Sequence, residues 1–232
     1  MKQIHIIGAG GVGSWLAPAL CLLIKNPKKV TLIDGDTLER KNLNRQLFTK
    51  DQIGQNKAVA LAKKYGCDAY DTYYSHSMLE LDESDWLLCC VDNNPGRRAV
   101  LSSCDQFGCR AIFGANETTS AEAYYYEPTF KGSVNDPRVY YHEMVEDDAN
   151  DPRSEAIGCV EASQLGNIQL VSANFIAAAL MQHLFVLWCM ERPKIDCEAI
   201  IHFPYRIRQN LTSYEVSKLK DNHQCATNHH SN

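Results

Sequence analysis

Apolar and polar positions alternate along the first half of the chain in blocks that switch between short buried runs and helical spacing. Gln3 to Ile7 is an apolar run the length of a buried strand, and it leads through a glycine turn into an apolar helix from about Val12 to Ile24. Pro18 falls in the second turn of that helix, where its missing N–H predicts a kink. Lys29 to Ile33 forms a second strand that ends at Asp34. From Asp51 to Tyr65 the residues Ile53, Ala58, Leu61 and Ala62 recur at helical spacing. Strands are predicted around Ala69 to Tyr73, Trp86 to Val91 and Arg110 to Phe113, with a helix from about Pro95 to Phe107 between the last two. Such alternation predicts an α/β fold built on a doubly wound, mostly parallel sheet.

Beyond this block the pattern changes. Ala121 to Tyr126 and Ile200 to Thr212 read as longer strands outside the alternation, an antiparallel C-terminal extension. Between them Gly132 to Arg153 is polar and acidic, with Pro137, Pro152 and the run Glu146-Asp147-Asp148, and is expected as a mobile loop, a solvated connector being the plainer reading. Leu165 to Trp188 is helical and apolar on most faces, which places it in the core or at a dimer interface. Its longest apolar run, Phe175 to Cys189, is broken by Gln182 and His183 and is expected to fall short of a membrane span. The polar tail from Asp221 to Asn232 is expected to be disordered, leaving one domain over residues 1–220.

Composition narrows the setting. Apolar residues make up 45% and charged residues 22% of the 232, ordinary for a soluble globular chain. With 28 acidic and 23 basic residues the formal charge is −5, so there is no global footprint for nucleic acid or an anionic membrane, and neither is expected as a partner. After Lys2 the apolar stretch turns glycine-rich too soon for a secretory signal. Ten cysteines would suit a disulfide framework only in a small domain without a core. Cys89 and Cys90 are adjacent in a strand and point to opposite faces, so reduced thiols in the cytoplasm are expected.

Three motifs carry chemistry. Gly8-Ala9-Gly10-Gly11-Val12-Gly13 follows a strand and opens a helix, where glycines let the backbone approach a phosphate and the helix N-terminus supplies positive potential. Asp34 comes at the end of the next strand, placed to accept both hydroxyls of a ribose, as in a Rossmann-like nucleotide site. Structural glycines are the bland alternative. The second motif is Asp34-Gly35-Asp36, then Asn42-Leu43-Asn44-Arg45-Gln46, then Gly54-Gln55-Asn56-Lys57. A dinucleotide needs no Arg and Lys beyond the ribose carboxylate. A triphosphate does, because charge builds on it as pyrophosphate departs, and Arg45 and Lys57 can answer it as a planar fork and a point charge. Lys57 alone would read as the cap of a solvated helix face. The third motif, Cys90-Val91-Asp92-Asn93-Asn94, ends a buried strand at the edge where ligands bind in open parallel sheets. Asp92 there could hold Mg²⁺ or could simply cap the next helix.

These elements, in this order, resemble the ThiF/MoeB/ubiquitin-activating superfamily. The resemblance is carried by Gly8 to Ser14, the Asp-x-Asp at Asp34 and Asp36, Asn42-Leu43-Asn44-Arg45-Gln46, Gly54 with Lys57, and Asp92-Asn93. It covers roughly Gln3 to Ala115 and resumes at Gly158-Cys159-Val160-Glu161-Ala162. It implies a compact bacterial or phage-type adenylyltransferase that binds MgATP and adenylates the C-terminal glycine carboxylate of a ubiquitin-like or sulfur-carrier protein, commonly as a homodimer. Ribose binding is implied for Asp34, phosphate contacts for Asn44, Arg45 and Lys57, and Mg²⁺ for Asp92. Gly8, Gly10, Gly11, Gly13, Asp36, Asn42 and Asn93 complete the expected nucleotide site. A carboxylate is already ionised at neutral pH, so no acid–base dyad is expected and the work is positioning and charge stabilisation.

Cys159 falls where many family members carry a cysteine that takes the activated carboxyl as a thioester; an ordinary core thiol is the other reading. Two features depart from the pattern. The sequence opens on its first strand, so the arginine that many members carry on an N-terminal helix, reaching into a partner's ATP site, is expected to be absent or replaced. It has no Cys-x-x-Cys pair, so structural zinc is not expected, Cys225, His229 and His230 being an improvised set at best. Rival readings are adenylation of a peptide or an RNA base, an NAD-dependent oxidoreductase, and a non-catalytic heterodimer partner.

Overall fold

A computed structural model describes residues 3–116, 120–141, 171–190 and 206–210, the last as backbone. Strands β1 (Ile4–Ile7), β2 (Val30–Ile33) and β4 (Trp86–Cys89) are short runs buried at every position. That is the signature of parallel strands covered on both faces. With β3 (Asp68–Tyr70), β5 (Arg110–Asn116), β6 (Ser120–Tyr126) and β7 (Arg206–Asn210) they form one sheet in the order β3-β2-β1-β4-β5-β6-β7. Pairing is parallel from β3 to β5 and antiparallel from β5 to β7, as the expected fold class requires.

Alternating side chains build two cores. Ile4, Ile6, Leu32, Trp86 and Leu88 face helices α1 (Gly13–Leu23) and α2 (Lys57–Tyr65), whereas Ile7, Ile33, Leu87 and Cys89 face α3 (Asn94–Phe107). Cys89 and Cys90 point into opposite cores, as adjacent strand positions must. All seven described cysteines are free thiols.

Strands β3 and β4, expected to reach Tyr73 and Val91, end at Tyr70 and Cys89, and two further boundaries differ from the sequence reading for identifiable reasons. The helix expected from Asp51 begins only at Lys57. Gly54 adopts φ +87°, its N–H donates to the Leu38 carbonyl at 2.9 Å, and Leu38 N–H donates back to Gln55. Asn56 then caps α2 by accepting from Val59 N–H at 3.0 Å. Strand β5 runs three residues past Phe113 because antiparallel pairing with β6 continues to Asn116. Helix α1 continues through Pro18 to Leu23.

The first part of the stretch expected as a loop is tied down. Pro137–Tyr140 forms a helical turn, α4, capped by Asp136. Arg138 bridges Asp136 (Nε–Oδ1 2.8 Å) and Asp105 of α3 (2.9 Å), and it donates to the Tyr126 hydroxyl at 2.6 Å. Burial by itself would raise the Asp105 and Asp136 carboxyls, but Arg138, joined by Tyr126 and Lys131 at Asp105 and by the Gly132 and Arg138 N–H groups at Asp136, outweighs it and holds both below the usual carboxylate range.

Helix α5 (Val171–Phe185) lies across β5, β6 and α1, followed by a wider π-helical turn at Val186–Met190. Val171–Cys189 is 19 residues long and apolar enough by length and composition to cross a membrane, contrary to the expectation that the run falls short. In this fold its inner face is packed instead. Phe185 meets Trp86 edge-on at 5.2 Å, and Trp188 stacks on Tyr125 at 4.1 Å. Met181 occupies space that only a glycine leaves, since a Cβ at Gly114 would fall 2.3 Å from its Sδ.

Candidate active site

Strands β1, β2 and β4 end level, with Ile7 paired to both Ile33 and Cys89. The chain order reverses between β1 and β4, the switch point at which open α/β sheets hold ligands. A cleft of roughly 330 Å³ opens there. Gly8 turns the chain with φ +91°, its N–H donating to the Ile33 carbonyl at 2.8 Å. Gly10 and Gly11 line the cleft, and α1 opens directly behind them, turning its positive end toward the ligand space. Gly13, expected among the nucleotide contacts, does not line the cleft. A Cβ there would sit 1.9 Å from the Gly8 carbonyl, so its role is to let α1 close against the turn.

Asp34 lies at the mouth of this turn, 8% exposed. Its Oδ2 accepts Ala9 N–H at 2.6 Å and its Oδ1 accepts Asp36 N–H at 2.8 Å. Burial raises its carboxyl above the ordinary range against the pull of those two bonds and of Lys57. The carboxylate therefore braces the glycine turn while facing the cleft.

The two cations expected downstream reach the same cleft. The Leu38–Gln55 pairing and a Thr37–Asn56 bridge tie the segment before Arg45 to the start of α2, which carries Lys57. Arg45 is 8% exposed and Lys57 only 6%, so Lys57 is not the cap of a solvated helix face. Arg45 donates to the Lys41 carbonyl and to Asn44 Oδ1 at 3.2 and 3.1 Å. Lys57 Nζ lies 2.6 Å from Asp36 Oδ2, and the Tyr73 hydroxyl donates to Asp36 Oδ1 at 2.7 Å. Partial burial alone would raise the Asp36 carboxyl; the Lys57 and Tyr73 hydrogen bonds and the Lys57 charge outweigh it and hold the carboxyl low. Donation to Asp36 in turn pushes the Tyr73 phenol up to about 12.

Among the remaining expected contacts, Asn42 lines the cleft but spends its Oδ1 accepting Glu39 N–H at 2.9 Å, closing a capping box. Asn44 does not line the cleft and acts on Arg45 instead. Asp92 and Asn93 line it at the end of β4. The cap of α3 is Asn93, which accepts Gly96 N–H at 2.8 Å, and not Asp92. A carboxylate at this edge of the cleft suits Mg²⁺, which takes one or two carboxylates and completes its shell with ligand oxygens and water. Among the described residues no group of three or more His, Cys, Asp or Glu forms a cage for another metal. Cys159, Cys225, His229 and His230 lie outside the described residues.

Sequence reasoning did not single out Tyr73, Asn116 or Asn174, all of which line the cleft, and it quoted Gln46 without a role.

The glycine turn, the buried Asp34 carboxylate and two buried cations at the switch point define an open α/β sheet protein with a charged cleft at its strand ends. The chain belongs to the ThiF family, matched over residues 1–227. It is similar to "Ubiquitin-like modifier-activating enzyme 5" of Drosophila virilis, 31% identical over 126 residues, covering 45% of this chain and 31% of that protein. The Drosophila mojavensis and Culex quinquefasciatus proteins of the same name are 32% and 30% identical over the same coverage. The matched region thus spans about a third of the length of these relatives. In fold the chain is similar to E. coli MccB crystallised with MccA-N7isoASN, with a TM-score of 0.59 at 17% identity over 90% of this chain and 64% of that one.

Proposed function

We propose that this protein adenylates the C-terminal carboxylate of a ubiquitin-like or sulfur-carrier protein, with MgATP as co-substrate. The observation that carries the reading is the pair of buried cations, Arg45 and Lys57, facing a cleft whose ribose end is Asp34. A dinucleotide's bridging diphosphate gains no charge in hydride transfer, whereas a departing pyrophosphate does, and two such cations answer it. Family membership supports the same chemistry.

In this mechanism Asp34 accepts the ribose hydroxyls and the amides around Gly10 and Gly11 cradle the phosphates. The acceptor carboxylate, already ionised, attacks the α-phosphorus, and the bond from that phosphorus to the β-bridging oxygen breaks. Arg45 and Lys57 stabilise the charge that moves onto pyrophosphate. Lys57 is held for this by Asp36, whose Oδ2 lies 2.6 Å from its Nζ. Asp92 would hold Mg²⁺, which neutralises phosphate charge when bound. Transfer of the activated carboxyl to Cys159 is the step we propose next: the thiolate attacks the acyl carbon, the bond to the phosphate oxygen breaks, and AMP leaves as the thioester forms. We also propose a cytoplasmic homodimer, on the strength of the free thiols and of Val171 and Phe175, apolar side chains exposed on α5.

Isotopic ATP–pyrophosphate exchange with candidate carrier proteins tests this reading. Asp92→Ala should lower exchange about a hundredfold, the effect of losing roughly 3 kcal/mol of electrostatic stabilisation. Cys159→Ala should retain exchange and lose any reductant-cleavable adduct with the carrier. Calorimetry showing tight NAD and negligible ATP binding would overturn the proposal.

A further inference from the structure

Three primary amides converge on the cleft beyond the glycine turn. Gln46 follows Arg45, Asn116 ends β5, and Asn174 projects from α5. Along the sheet edge Asp34 follows β2, the glycine turn follows β1, Asp92 follows β4 and Asn116 ends β5. Asn116 thus stands at the opposite end of this row from the ribose carboxylate. Asn174 is fully buried and donates from Nδ2 to the Arg45 carbonyl at 3.3 Å, which fixes the direction of its Oδ1. That Oδ1, Gln46 Oε1 and Asn116 Nδ2 are buried without a hydrogen-bond partner, three of five such side-chain atoms among the described residues. Gln46 itself is only 8% exposed.

The placement of Asn174 is built into the fold. Met181, two helical turns further on the same face, seats against Gly114, and Asn174 seats against Gly11, where a Cβ would lie 2.7 Å from its Oδ1. Two glycines are thus spent to bring one amide to the turn. An unpartnered buried polar atom costs about 1–3 kcal/mol, so a group of three in one cleft points to a ligand that satisfies them.

The donor–acceptor pattern says which ligand. The phosphates of a nucleotide offer acceptors only and leave the Asn174 and Gln46 oxygens unanswered. A carboxylate likewise brings no donor. A peptide unit brings both an N–H for those oxygens and a carbonyl for Asn116 Nδ2. We propose that Gln46, Asn116 and Asn174 bind the last peptide unit of the acceptor, so that this chain selects a peptide-linked carboxylate over a simple acid. The inference rests on the adenylation reading and names the residues that hold its second substrate.

The test uses three non-hydrolysable probes in calorimetric titration: 5′-O-sulfamoyladenosine, its N-acetyl conjugate, and its N-(acetylglycyl) conjugate, which alone carries a peptide N–H. The wild-type protein should bind the acetylglycyl probe about tenfold more tightly than the acetyl probe, the worth of about one or two satisfied hydrogen bonds. Asn174→Ala and Asn116→Ala, on separate elements, should each remove most of that preference while affinity for sulfamoyladenosine changes about twofold or less. Equal binding of the two conjugates by wild type, or a preference that survives both substitutions, overturns the proposal and leaves the nucleotide reading standing. If Asn174→Ala weakens all three probes equally, Asn174 only supports Arg45 and the proposal also fails. Failure of wild type to bind any of the probes refutes the adenylation reading itself.

Discussion

Asp34→Asn separates the carboxylate's structural work from its ligand work. In the folded chain both oxygens are engaged, by Ala9 N–H at 2.6 Å and Asp36 N–H at 2.8 Å. An amide keeps one acceptor and turns an NH₂ toward the other donor, losing one charge-assisted bond, a cost of about 1.5–3 kcal/mol. Against this stands the burial that raises the Asp34 carboxyl: removing the charge relieves a desolvation cost of similar order. The two offset, so the thermal midpoint should move only a few degrees. The sign of the pH dependence follows. A carboxyl raised by folding makes the native state less stable as pH climbs through its unfolded and then its folded pKa, so Asp34→Asn should flatten that part of the stability profile. Nucleotide binding has no such compensation. A ribose diol loses its charged acceptor, about 2–3 kcal/mol, or roughly thirty- to 150-fold in Kd. Titration of MgATP into both proteins reads this directly. Unchanged ATP affinity in a folded Asp34→Asn protein would remove Asp34 from the site.

Three further outcomes are expected. Lys57→Met keeps the buried stem and removes the ammonium beside Asp36, so MgATP exchange should fall about a hundredfold while urea unfolding barely shifts, Asp36 being half-exposed and able to hydrate. Arg138→Leu should cost about 2 kcal/mol at pH 7, measured by urea unfolding, because it takes a guanidinium away from Asp136 and from Asp105, where Lys131 and Tyr126 remain. Those carboxyls are depressed in the folded state, so the stabilisation is complete above their unfolded value of about 4 and fades as pH falls through the folded one, and the gap between the proteins should close in acid. Light scattering at micromolar concentration should find a dimer, and a strictly monomeric chain would contradict the proposed α5 interface.

The centre of the sheet was legible in the sequence because β1, β2 and β4 are short, mostly apolar runs separated by turn residues, and the runs ending at Ile7, Ile33 and Cys89 set the site edge. The glycine turn, Asp34, Arg45 and Lys57 were legible as a spaced motif. Spacing alone could not distinguish Gly13, which lets the helix close, from Gly10 and Gly11, which face the cleft. Nor could it show that Asn42 spends its amide on a cap, or that Gly54 delays α2 to Lys57. Asn174 is separated from Arg45 by 129 positions, and only the packing of α5 on Gly11 and Gly114 brings it to the turn. Tertiary amide clusters of this kind leave almost no local pattern.

The central claim is that a protein's terminal carboxylate is joined to AMP. Intact-mass spectrometry of a ubiquitin-fold carrier ending in glycine, incubated with this protein and MgATP, measures it directly. The account predicts an AMP adduct on the terminal carboxyl, formed with release of pyrophosphate and absent when that carboxyl is replaced by a carboxamide. An adduct that persists on the carboxamide, or AMP found only on RNA or a small peptide while carrier proteins stay unmodified, would contradict it.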